Sequence, residues 1–293
     1  MNPPTLQGAL ASTQRVSQIA RTTMFIPEAS RGNDNTLWVT MSSCIRGLTH
    51  SLSFTNPVKP MELIELEIRD VWYLFTLSAK NIDADHPAQD RLIWIVLAAR
   101  ELGPVRRQIA VDEAGPFEEA VTSDAGRIWV DLPFMVQDLR DAWTGSIDDP
   151  NQRLNLASSI ARLAGLGVCE EAYSVCGLDI MSQALEGPEH IAGGTIDVFE
   201  LFRLVQIWLR YAGDKLLRLC LANHSGNEAN WRREHSSAQL PGKVTQGFNR
   251  DRFLAWKSKL QILREESDGS LKELATACSN NIEIVWNSYF GVQ

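Results

Sequence analysis

The sequence predicts an all-α protein, with one helical domain of about eight helices following an irregular N-terminal arm. After residue 60 every long segment repeats its apolar residues at the three-to-four spacing of an amphipathic helix. No two-residue hairpin turn stands between alternating apolar runs, so no convincing strand emerges. The charge also shifts along the chain. Residues 1–60 carry five Lys and Arg against two Asp and Glu, with prolines at 3, 4, 27, 57 and 60, whereas the remainder carries a net −11. That contrast marks residues 1–60 as an arm or lid and residues 61–293 as the helical body.

The body opens at Pro60, a residue suited to a helix start because it lacks the N–H that a first turn leaves unpaired. Glu62, Glu65 and Glu67 then favour the positive end of the helix dipole. This helix carries Leu63, Leu66, Val71, Leu74 and Leu77 and ends near Lys80. The next runs from about Ala88 to Leu102, where Gly103-Pro104 stops it. Its stripe is Leu92, Ile95, Val96 and Ala99, with Trp94 and Arg100 set off from it. Residues 103–130 are the least periodic part, and Arg127 to Val130 is too short to separate a strand from a loop. Asp131 is expected to cap a helix reaching Trp143. Gly145 to Pro150 turns the chain into a helix over 151–166, ended by Gly165 and Gly167. Further helices are expected over 170–185, 198–222 (capped by Asp197), 251–266 and 270–290. Residues 223–243 read as a polar loop of about twenty residues, long enough to be mobile or a lid.

Composition narrows the function. A net charge of −8 and a pI near 5.2 argue against a nucleic-acid binder, because phosphate recognition needs a basic face. The five cysteines include no Cys-x-x-Cys pair, so neither a disulfide framework nor a zinc site is indicated. No apolar run reaches membrane-spanning length, and a cytoplasmic protein is expected. Residues 5–25, free of acid and holding Arg15 and Arg21, faintly resemble a transit peptide. The chain lacks a P-loop, a dinucleotide fingerprint, a Gly-x-Ser-x-Gly elbow and a His-Glu-x-x-His helix.

Three groups of residues are candidates for chemistry. On the helix after Asn249, Arg250, Phe253 and Lys257 share one face as cation, ring and cation. Either that face is solvated, or it looks into a pocket that receives an anion, since a buried lysine needs one. Asp138 and Asp141 lie at i and i+3, and Asn155 lies on the following helix. If the two helices are antiparallel neighbours, these oxygens suit a hard cation such as Mg2+ shared with a diphosphate; otherwise they are a solvated face with an internally bonded amide. Asn280, Glu283 and Asn287 form a similar row on the last helix, read as surface. Among the aromatic residues, Trp143, Trp208 and Tyr211 are candidate wall residues for a cavity in which rings stabilise a carbocation.

The elements Asp70-Val-Trp72, Pro87 to Leu92, Leu139 to Trp143, Asn155 with Ala161-Arg-Leu163, Trp208 with Tyr211-Ala-Gly213, and Arg252 to Lys257 resemble a fungal family of helical domains of unknown function, over about residues 60–290. The chain is also similar to noncanonical terpene cyclases, the humulene synthases of tropolone sesquiterpenoid pathways. That resemblance implies an all-helical enzyme that ionises farnesyl diphosphate with magnesium and depends on a lysine one turn beyond a product-steering residue. Lys257 and Phe253 have that spacing, although Phe253 is bulkier than the aliphatic residue expected there. The alternatives are a metal-free pericyclase or isomerase of a similar pathway, and a non-catalytic helical binding scaffold.

Overall fold

The structure is a computed structural model that describes residues 36–54, 60–108, 117–145, 149–186, 197–225 and 247–291. The fold is all-α. Among the described residues there are nine helices and one two-stranded antiparallel ribbon. Packing divides the chain into two compact units, residues 1–156 and 157–293.

In the first unit, α1 spans Thr36–Phe54, α2 Met61–Asn81, α3 Ala88–Arg100 and α4 Met135–Thr144; α5, Pro150–Gly165, begins here. Part of the expected irregular arm is therefore helical. In α1, Leu37, Met41, Ile45, Leu48 and Leu52 recur at steps of three and four and are all buried, each apolar side chain contributing about 1.5–3 kcal/mol. The proline and charge content of the arm masked this period. α1 packs against α2, α3 and the ribbon, and α2 also packs against α4. The ribbon pairs β1, Arg106–Gln108, with β2, Phe117–Glu119, and Arg107 meets Glu118 across it at 2.8 Å. Three residues per strand are too few for an alternation to show in sequence.

The expected start of α4 at Asp131 is corrected to Met135. Asp131 accepts from the Arg127 side chain at 2.9 and 2.8 Å and from the Arg127 backbone N–H at 2.9 Å, so it caps a turn of its own. The guanidinium holds its carboxyl down at about 2. The chain then threads left-handed conformations at Trp129, Leu132 and Phe134, with φ of 64°, 50° and 68°. Such angles cost bulky residues on the order of 1–3 kcal/mol each. Burial of Ile128, Trp129 and Leu132 offsets that strain, helped by two indole hydrogen bonds: Trp72 donates to the Pro133 carbonyl and Trp129 to the Thr49 hydroxyl, both at 2.8 Å.

In the second unit, α6 spans Glu170–Leu185, α7 Val198–Leu221, α8 Arg250–Glu266 and α9 Gly269–Phe290. Asp197 caps α7 by accepting from the Phe199 N–H at 3.2 Å, as expected. Asn249 caps α8 by accepting from the Arg252 N–H at 2.9 Å. α7 lies between α6 and α9, and α8 packs on α9. Small residues permit these approaches: a Cβ on Gly177 would lie 2.5 Å from the Trp208 ring, and one on Gly213 2.7 Å from Val285. The expected lid loop falls largely on residues 226–246, outside the described residues.

Candidate functional site

The N-terminal half of α8 carries two layers of charge on one ring-rich scaffold. Phe253 and Trp256 point inward and are fully buried. Phe253 stacks on Trp286 of α9 at 6.1 Å between ring centroids, and Trp286 in turn meets Phe290 at 4.3 Å. On the inner side, Arg252 is fastened to Glu186 at the end of α6, at 2.7 and 2.8 Å, and Trp256 donates to the same carboxylate at 2.6 Å. Ser182 and the Gly247 carbonyl accept two further guanidinium N–H groups. A buried ion pair is stable only when its hydrogen bonds are filled in this way, so this network ties α8 to α6. It also encloses Cys220, whose thiol is pushed up to about 12 chiefly by burial.

The outer layer holds Lys257. Its ammonium lies 2.9 Å from Glu283 of α9 and 5.2 Å from the centre of the Trp286 ring. Gln261, one turn on, donates to the other oxygen of Glu283 at 2.7 Å. The side chains of Lys257 and Glu283 are 19% and 29% exposed, so the pair is accessible without being fully solvated. The anion that a half-buried Lys257 requires is thus present within the protein. Arg250 is exposed and stands over the Phe290 ring at 6.0 Å. The expected row of Arg250, Phe253 and Lys257 is brought together through Trp286 and Phe290, with the cations at its margin and Phe253 in the core.

Trp208 is fully buried, and its indole N–H has no hydrogen-bond partner among the described residues. Tyr211 is half-buried; the Arg162 guanidinium lies 3.7 Å above its ring and donates to its hydroxyl at 2.8 Å. Gly165 backs onto the Tyr211 carbonyl.

In the first unit each expected metal ligand is engaged separately. Asp138 is half-buried and accepts from Arg69 of α2 at 2.8 Å, and that guanidinium covers the Phe134 ring at 4.1 Å. Burial pushes the Asp138 carboxyl up to about 6, Asp141 reinforcing the shift and Arg69 opposing it. Asp141 is exposed and accepts from Gln137 at 2.8 Å. Asn155 is buried, and its amide donates to the Lys80 carbonyl at 3.0 Å. Trp143 is half-buried on α4. Among the described residues no three His, Cys, Asp or Glu side chains gather in a metal-binding group.

Sequence reading missed the counter-charge of Lys257 because Glu283 is on another helix, where no local spacing connects the two. It missed Glu186 for the same reason. No described helix is long and apolar enough to cross a membrane.

Comparison with known proteins gives one curated relative, the oxopyrrolidines biosynthesis cluster protein G of Penicillium oxalicum. It is 22% identical over 250 residues, covering 78% of this chain and 68% of the relative. No solved structure matches the chain significantly. The family described as "Protein of unknown function (DUF3632)" matches residues 72–260, well over half of the sequence, and the chain belongs to that family.

Proposed function

We propose that this protein acts in the cytoplasm within fungal secondary metabolism, as a sesquiterpene cyclase of the humulene-synthase type that ionises farnesyl diphosphate. The pathway assignment is supported by the Penicillium relative, whose name places it in a biosynthetic cluster. The chemical assignment is supported by one observation: Lys257 is a half-buried cation on an aromatic wall built from Phe253, Trp286 and Phe290. In this reading Lys257 meets the diphosphate, with Arg250 adding positive potential at the margin. As the leaving group departs with the bonding electron pair, its developing charge is stabilised at that cation. The rings face the allylic cation with their negative surfaces. Magnesium would come with the diphosphate and share its charge, since Asp138, Asp141 and Asn155 are engaged separately and form no ligand set for it.

A second reading, a non-catalytic helical scaffold, is favoured by the neutralisation of Lys257 by Glu283. The two separate in one assay. Purified protein, Mg2+ and farnesyl diphosphate are incubated, and volatile products are analysed by mass spectrometry. A cyclase gives a sesquiterpene, and Lys257→Gln lowers its formation on the order of a hundredfold, with the melting temperature shifted by only a few degrees. Absence of product, or full turnover by Lys257→Gln, leaves the scaffold reading.

A further inference from the structure

We infer that Glu283 occupies the anion position of an amphiphile-binding site, so that ligand and Glu283 compete for Lys257. The inference rests on the reading of Lys257 given above and adds a gate to it. Three cations of the second unit each stand over a ring of α9: Lys257 over Trp286 at 5.2 Å, Arg250 over Phe290 at 6.0 Å and Arg218 over Tyr289 at 5.9 Å. The rings are continuous with one another, Trp286 to Phe290 at 4.3 Å and Phe290 to Tyr289 at 6.4 Å. Tyr289 and Phe290 remain 37% and 43% exposed. The result is a row of partly open aromatic surface edged by positive charge on a protein of net charge −8.

Two of the three cations have carboxylates. Asp214 approaches Arg218 at only 4.0 Å, between side chains 65% and 59% exposed, which is a weak pair. Glu283 is different. It is less exposed, it touches Lys257 at 2.9 Å, and Gln261 fixes its second oxygen at 2.7 Å, so both oxygens are directed. Arg250, exposed over the Phe290 ring, adds positive charge at the margin of this surface. The chemistry recognised is a phosphate- or diphosphate-headed apolar chain: the head replaces the Glu283 carboxylate beside Lys257, and the chain lies along Trp286 and Phe290. Rotation of Glu283 away from Lys257 opens the site.

Calorimetric titration of the full chain without magnesium tests this independently of turnover, using inorganic pyrophosphate, farnesyl diphosphate and farnesol as probes. Glu283→Gln keeps a hydrogen-bond partner for Gln261 and removes the competing charge, so pyrophosphate and farnesyl diphosphate are each expected to bind about tenfold more tightly or better than to wild type. Lys257→Gln loses that binding in either background. Phe290→Ala weakens farnesyl diphosphate while leaving pyrophosphate unchanged. Equal affinities for wild type and Glu283→Gln, or no pyrophosphate binding by either, overturn the gate. Tighter binding by Glu283→Gln with no volatile product in the cyclase assay keeps the gated site and removes the cyclase reading instead.

Discussion

Asp138 shows how a single side chain here is set by opposing environments. Burial raises its carboxyl to about 6 against an ordinary 3.8, and Arg69 only partly restores the charge. In the interval between those values the folded protein holds a proton that the unfolded chain has released. Stability tied to that proton is complete below about pH 4 and is lost as pH rises through 6. Asp138→Asn removes the titration. Its melting temperature is therefore expected to exceed that of wild type at pH 7.5, by the equivalent of about 1 kcal/mol once solvent screening of a part-exposed side chain is discounted, and to converge on wild type toward pH 4. Thermal melts across that range check it; an Asp138→Asn variant that melts below wild type at pH 7.5, with the gap closing toward pH 4, would mean the Arg69 pair outweighs burial. Arg250, Phe253 and Lys257 were legible as neighbours, since all three lie on α8 and meet rings of α9. Their partners were not. Glu283, Glu186 and Arg69 come from helices distant in sequence, and nothing in local spacing says which carboxylate reaches which cation.

The helices follow from period, and their contacts follow from where side chains are absent. Gly165 backs onto the Tyr211 carbonyl and Gly177 onto the Trp208 ring, while Gly47 of α1 is exposed and a Cβ there meets nothing within 4 Å. Three alanine substitutions should therefore order themselves by neighbour. Gly47→Ala is expected to stabilise by about 0.5–1 kcal/mol through helix propensity alone. Gly177→Ala is expected to cost about 1–3 kcal/mol, because an indole can shift only by disturbing a packed core. Gly165→Ala costs more still, since its neighbour is backbone. Urea unfolding midpoints measure all three, and a stabilised Gly165→Ala would refute the α5–α7 approach. Most element positions could be read from sequence because the signals are local, as the cap at Asp197 illustrates. The start of α4 could not, because Asp131 has two possible partners and Arg127 wins it with a bidentate pair. Nor could the left-handed angles at Trp129, Leu132 and Phe134, which only burial makes tolerable.

At the scale of the molecule, the family match ends at residue 260, within α8, and leaves out α9. Yet α9 packs along both α7 and α8. Its Ala275, Cys278, Ser279 and Ile282 are fully buried, Val285 fills the notch at Gly213, and the Cys278 thiol donates to the Phe202 carbonyl at 3.6 Å. Without α9, Phe253 loses its stacking partner Trp286, and Lys257 loses Glu283. Uncovering that much apolar surface on two helices removes several side-chain burials of about 1.5–3 kcal/mol each, comparable to the whole stability of an ordinary domain. A chain ending after Leu260 is thus expected to keep helical far-ultraviolet dichroism while its second unit binds a hydrophobic dye and loses its cooperative transition. The full chain should unfold sharply under the same conditions. If the shortened chain melts cooperatively within about 5 °C of the full one, α9 is an accessory to the fold and the anion site it completes must have been added to an already stable unit. Loss of the cooperative transition makes α9 part of the folding unit, with Lys257 and its gate built into the same packing that holds α7 and α8 together.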